Sequence, residues 1–132
     1  MEISIYPNDL KEAVDTLITY FNHELELVKS MKENKFIGET HHIGGQFIRN
    51  SWNLWWYEDH GFDDWPKEKP KLIEFFNNMG IVHADDISGI ILTCFYRELK
   101  HKPYELEKQI KMYQDHWKTE GFPDGIFKRS KK

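Results

Sequence analysis

The sequence predicts an all-α protein, a compact bundle of five or six helices in a single domain. Three observations predict it. Apolar residues recur at a spacing near 3.6 in almost every segment. Helix punctuation, with proline ahead of a segment and glycine behind it, falls between the periodic stretches. No two alternating runs flank a turn, so there is no hairpin from which to start a sheet. Only a short strand pairing at residues 3–6 stays open.

Asn8, after Pro7, is placed to cap a first helix with Leu10, Val14, Leu17, Ile18 and Phe21 on one stripe. Leu25, Val28 and Met31 continue the stripe, while Asn22 is placed to cap a separate helix, so one helix and two are both open here. "KENK", residues 32–35, breaks the period and reads as a joint. A long helix from about residue 34 to 56 follows. "EDHGFDDWPKEKP" is loop, punctuated by Gly61, Pro66 and Pro70. Pro70 starts a helix with Leu72, Ile73, Phe75, Phe76 and Met79, and Gly80 ends it in the left-handed conformation.

"VHADDISG" leads into the next helix, lined by Ile87, Ile90, Ile91, Cys94, Phe95 and Leu99. Asp85 and Asp86 fall in its first turn, where carboxylates suit the positive end of the helix dipole. Pro103 opens a last helix with Leu106, Ile110, Tyr113 and Trp117 on one stripe. Residues 1–118 are thus the helical domain. Residues 119–132 are a basic tail with two aromatic anchors, Phe122 and Phe127.

A chain of 132 residues buries roughly two thirds of its unfolded surface, enough for a core without metal or disulfide. Aromatic residues make up 15% of it, so few helices suffice to close that core. The single cysteine, Cys94, excludes a disulfide framework and a cysteine-based zinc site. In the apolar run "GIILTCFY" it reads as a buried, inert thiol. "MEISIYPNDL" has neither a basic leader nor an apolar core, so a signal peptide is not expected. The longest apolar run falls short of the roughly 20 residues that span a bilayer. A cytoplasmic protein with no membrane partner is the expectation. Net charge is −4, and the stretch from Lys118 onward sets five basic residues against two acidic ones. The body is therefore acidic, which argues against nucleic acid as a partner.

The stretch "HHIGGQFIRNSWNLWW", residues 41–56, raises the question of a site. Two adjacent glycines inside a helix cost about 1 kcal/mol each relative to alanine. Close approach of another helix at Gly44 is the expected offset, preferred over a break. Arg49 sits among tryptophan and phenylalanine, where an unpaired charge is costly. Asp85 and Asp86 are its expected partners, with an anionic ligand as the functional alternative. His41, Arg49 and Trp52 fall near a common helical face. A mixed metal site would need His41, His42, His83, Asp85 and Asp86 to converge, yet no H-x-x-x-H pair is present here, so no metal is expected. Trp52, Trp55 and Trp56 read as core in preference to a platform for bases or sugars, with a surface position open for Trp56 and Trp65, and His60, His101 and His116 read as surface. A phosphate loop, a nucleophile elbow and a Cys–His pair are all missing, so no catalytic residue and no cofactor is assigned.

Two motifs carry a resemblance. "HHIGGQFIRNSWNLW", residues 41–55, and "FFNNMGIVHADDISGIILTCFYREL", residues 75–99, resemble a family of small bacterial and phage-associated domains. The resemblance marks His41, Arg49, Asn50, Trp52, His83, Asp85, Asp86 and Ser88 as family positions, all but Ser88 taken as candidate binding residues; it spans about residues 34 to 104 and implies a mostly helical fold. It implies no activity. The chain departs from the pattern at Ala84, where proline is frequent, at Asn53, where glycine is frequent, and in a longer loop before Pro70. The expected function is a non-enzymatic binding or protein-interaction module, toxin-neutralising or phage-related. The alternative is an enzyme or metal-dependent module built on His41, His42, Arg49, His83, Asp85 and Asp86.

Overall fold

The computed structural model describes residues 7–56 and 65–121. Six helices and no strand lie among them: α1 Leu10–Tyr20, α2 Leu25–Ser30, α3 Glu33–Ser51, α4 Lys71–Asn77, α5 Ala84–Leu99 and α6 Leu106–Thr119. The expectation of an all-α bundle of five or six helices is met, with six among the described residues. The possible strand at 3–6, His60, and the tail with Phe122 and Phe127 lie outside the described residues.

Helix α5 is the centre. Its apolar run leaves almost no polar face, so α1, α2, α3 and α6 all pack against it. Ile87, Ile90, Ile91, Cys94 and Phe95 are buried there beside Leu17 of α1, Phe36 and Ile48 of α3, and Phe76 of α4 in one core. Phe36 stacks on Tyr96 at 5.4 Å between ring centres, and Phe21 and Phe95 meet at 6.0 Å. Such aromatic contacts add to area burial.

Several boundaries differ from the sequence reading, each for a local reason. Asp9, not Asn8, caps α1: its carboxylate accepts the Glu12 amide at 3.0 Å, while the Asn8 amide donates to Glu12 Oε1 at 2.8 Å. Two helices rather than one follow Asn8, but Asn22 does not cap the second. Helix α2 starts after Glu24 with no side-chain cap. The joint before α3 is only Met31 and Lys32, both extended, so "KENK" is mostly helix. That joint is tied to α5: the Tyr96 hydroxyl donates to the Met31 carbonyl at 2.5 Å and Lys100 Nζ to that of Lys29 at 2.8 Å.

Helix α3 ends at Ser51 rather than near Trp56. Asn53 takes a left-handed φ of 52°, and the Leu54 amide reaches back to the Arg49 carbonyl at 2.9 Å. This is the Schellman closure, whose left-handed position favours glycine and, after it, asparagine. Pro70 and Gly80 frame α4 as expected, Gly80 with φ 83°. The last helix begins at Leu106, not at Pro103, because Glu105 is itself left-handed at φ 52°.

Candidate functional site

Arg49 lies in the last turn of α3, and the side chain runs back along the helix before crossing to α5. Its Nε lies 3.3 Å from Asp85 Oδ1, and its Nη1 donates to Ser88 Oγ at 2.9 Å. Ser88 in turn donates to the Asp85 carbonyl at 3.0 Å. Arg49 and Ser88 are buried, while the Asp85 side chain is 43% exposed. The guanidinium is therefore met by one carboxylate and one hydroxyl from the first turns of the facing helix, which offsets its desolvation. This is the pairing expected for Arg49.

The glycine that makes room is Gly45, not Gly44. A Cβ on Gly45 would stand 2.6 Å from Arg49 Nη1 and 3.6 Å from Ser88 Oγ. A Cβ on Gly44 would meet only Thr40 of its own helix, at ordinary contact distance. The expected close approach of another helix at Gly44 is not what the glycines serve: Gly45, turned inward, makes room for the Arg49 side chain of its own helix, with Ser88 of α5 at ordinary contact distance.

His83 is the N-cap of α5. Its Nδ1 accepts the Asp85 amide at 3.0 Å, an unusual use of imidazole that leaves the proton of the neutral ring on Nε2. The ring stacks on Trp117 at 5.7 Å and meets Trp55 edge-on at 5.5 Å. Asp86 is buried, and Trp117 Nε1 donates to its Oδ2 at 2.7 Å. Burial pushes the Asp86 carboxyl above its ordinary value; the Trp117 hydrogen bond and the nearby His83 pull it partly back. Burial, together with Asp86 and Asp85, raises the Tyr113 hydroxyl as well.

The remaining positions fall elsewhere. His41 and His42 touch one another at 5.3 Å, on α3. His41 precedes Arg49 by eight residues, about 12 Å of helix at 1.5 Å per residue. A shared face does not bring them together. Among the described residues no group of three or more His, Cys, Asp or Glu is arranged to hold a metal ion. Asn50 is exposed on the outer side of α3. Trp52 is fully buried in the core, its indole N–H without an acceptor among the described residues. Trp55 is exposed rather than core, and Trp56 is half-buried, donating to the Pro66 carbonyl at 2.7 Å.

Sequence reasoning missed three participants. Trp117 reads as one more apolar stripe residue until α6 folds across the N-terminus of α5. Gly45 is hidden by its neighbour Gly44. Arg97, late in α5, reaches Glu33 Oε2 at 3.1 Å and Glu105 Oε1 at 3.3 Å, tying the starts of α3 and α6 to α5. An arginine followed by Glu98 on a helix gives no sign of partners 64 residues back.

The arrangement holds helices together: Arg49 joins α3 to α5, and Asp86 with His83 joins α5 to α6. No curated protein and no solved structure matches the chain. A family profile matches residues 6–99, reaching further toward the N-terminus than the two motifs and stopping before α6. The chain belongs to that family, the domain of unknown function DUF6794.

Proposed function

We propose that the protein is a cytoplasmic, non-enzymatic module that acts by binding another protein, in a bacterial or phage setting such as the neutralisation of a toxin. The observation that carries this reading is the closure of the polar cluster. Arg49 is engaged with Asp85 and Ser88, Asp86 with Trp117, and His83 Nδ1 with the Asp85 amide. Acid–base or nucleophilic work needs such groups presented to a substrate. Here they are turned toward one another, and their chemistry goes into fixing helices.

The outer face of α3 supports binding. Ile43 is 81% exposed on that face, and Glu39, Gln46 and Asn50 share it at helical spacing, with His42 at its edge. An apolar side chain within a polar rim, here Glu39, Gln46 and Asn50, is the general plan of a protein interface. Asn50, a position the family resemblance marks, belongs to this face rather than to the Arg49 cluster.

The test compares the tagged full chain with an Ile43→Asp variant in the native cells, after circular dichroism has shown both folded. The wild type should recover one protein at near-stoichiometric amount, and the variant should lose it. Recovery indifferent to Ile43→Asp, or a catalytic turnover abolished by Asp86→Asn, would overturn the reading.

A further inference from the structure

Helix α6 is attached differently from the rest of the fold. None of its residues is buried, although Leu106, Ile110 and Tyr113 pack partly against the core. It lies beyond the family match, which ends at residue 99. Polar tips hold it to the body: Gln114 Nε2 donates to the Met79 carbonyl at 3.0 Å, Trp117 Nε1 to Asp86 at 2.7 Å, and Gln109 Nε2 lies 3.6 Å from Cys94 Sγ. The segment leading into it, residues 100–105, contains two left-handed non-glycine residues, His101 at φ 57° and Glu105 at φ 52°. Such residues hold that conformation when their surroundings impose it. Arg97 does so here, donating to the Pro103 carbonyl at 3.0 Å and pairing with Glu105. The near end of α6 is thus pinned at a joint, and its far end is held by hydrogen bonds from Gln114 and Trp117.

The face beneath α6 is shaped for a helix. Gly89 has no side chain, and a Cβ there would stand 2.7 Å from the Tyr113 hydroxyl. One turn nearer the start of α5, Asp86 accepts the indole of Trp117, and His83 stacks on it. Tyr113 and Trp117 are four residues apart, so one helix face delivers the phenol over Gly89 and the indole donor to Asp86 in register.

We propose that α6 is a detachable strap that occupies, in cis, a helix-binding face of the family domain formed by His83, Asp86 and Gly89, and that a partner helix bearing two aromatics four residues apart, the second of them an indole donor, replaces it. Only the identity of the replacement as another protein rests on the interaction reading above. The detachment stands on its own and needs no partner to be measured.

Native-state hydrogen exchange on the full chain tests the strap. The amides of α6 should exchange as a unit, roughly tenfold or more faster than those in the middle of α5. Gly89→Ala should speed α6 further while α5 keeps its protection, because alanine suits the helix but collides with Tyr113. Adding Tyr113→Phe, which removes the colliding hydroxyl, should return α6 toward the wild-type rate. Trp117→Phe, which keeps the ring and loses the N–H, should loosen α6 alone. If α6 and α5 open together, with one denaturant dependence, the strap does not exist.

A labelled synthetic peptide of residues 103–121 tests the face. It should bind the full-length Trp117→Ala protein roughly tenfold more tightly than wild type, whose own α6 competes at high effective concentration. Equal binding to both, or binding to neither, would overturn the face as a helix receptor. None of these readouts involves Ile43, so their failure leaves the interaction reading intact, and the loss of that reading leaves the exchange pattern of α6 unchanged.

Discussion

Arg49 Nη1 lies 2.6 Å from the point where a side chain on Gly45 would begin. The glycine and the guanidinium are one device: the missing Cβ is the channel through which the arginine reaches Asp85 and Ser88. The adjacent Gly44 has no such duty. Gly45→Ala should therefore destabilise by about 1–3 kcal/mol through forced displacement of the guanidinium. Gly44→Ala should instead stabilise by about 0.5–1 kcal/mol through better helix propensity. Urea melts of the two variants check this, and equal effects would dissolve the distinction.

Asp86 predicts a pH dependence. Burial raises its folded value above the ordinary 3.8, against the pull of Trp117 and His83. For a raised carboxyl the stability it contributes is fully present below 3.8 and is lost as pH rises through the folded value. Asp86→Asn keeps an oxygen to accept the Trp117 indole and carries no charge to desolvate. The variant should be at least as stable as wild type at neutral pH, with the difference narrowing as the pH falls toward 3.8. Stability curves across that window check it. A variant markedly weaker at neutral pH would mean that the carboxylate charge itself holds α6 down.

Cys94 should be inert in the native protein. Burial pushes its thiol up to about 12, so almost no thiolate is present at mildly alkaline pH. A disulfide reagent should leave the folded chain untouched and label it fully in denaturant. Fast native labelling would show that the centre of α5 is open to solvent.

The fold was largely legible because its signals are local. Proline at 70 and glycine at 80 bracket α4, and the largely apolar run at residues 87–95, with only small residues between its aliphatic and aromatic ones, marks α5 as the buried centre. The Arg49–Asp85 pair was legible for another reason: a guanidinium among aromatics must find a carboxylate, and few were near an apolar helix. The end of α3 was not read, because the aromatic run at residues 52–56 continues the helical spacing and hides the asparagine at position 53. A position that takes glycine or asparagine is a left-handed closure. Gly45 was missed because a one-residue rotation decides which of two adjacent glycines faces inward. Trp117, and Arg97 with its bond to Glu33 64 residues back, act across distances that no helical period encodes.

The central claim is that the polar cluster is a staple between α3 and α5, and the most direct measurement is a double-mutant cycle on Arg49 and Asp85. Asp85→Asn leaves a buried guanidinium with Ser88 alone, and Arg49→Met leaves a half-exposed carboxylate beside an apolar side chain. The double variant should be less destabilised than the sum of the singles by about 1 kcal/mol, below the value of a fully buried pair because solvent screens Asp85. Strictly additive losses would contradict the staple and return Arg49 to the role of a residue held ready for an anionic ligand.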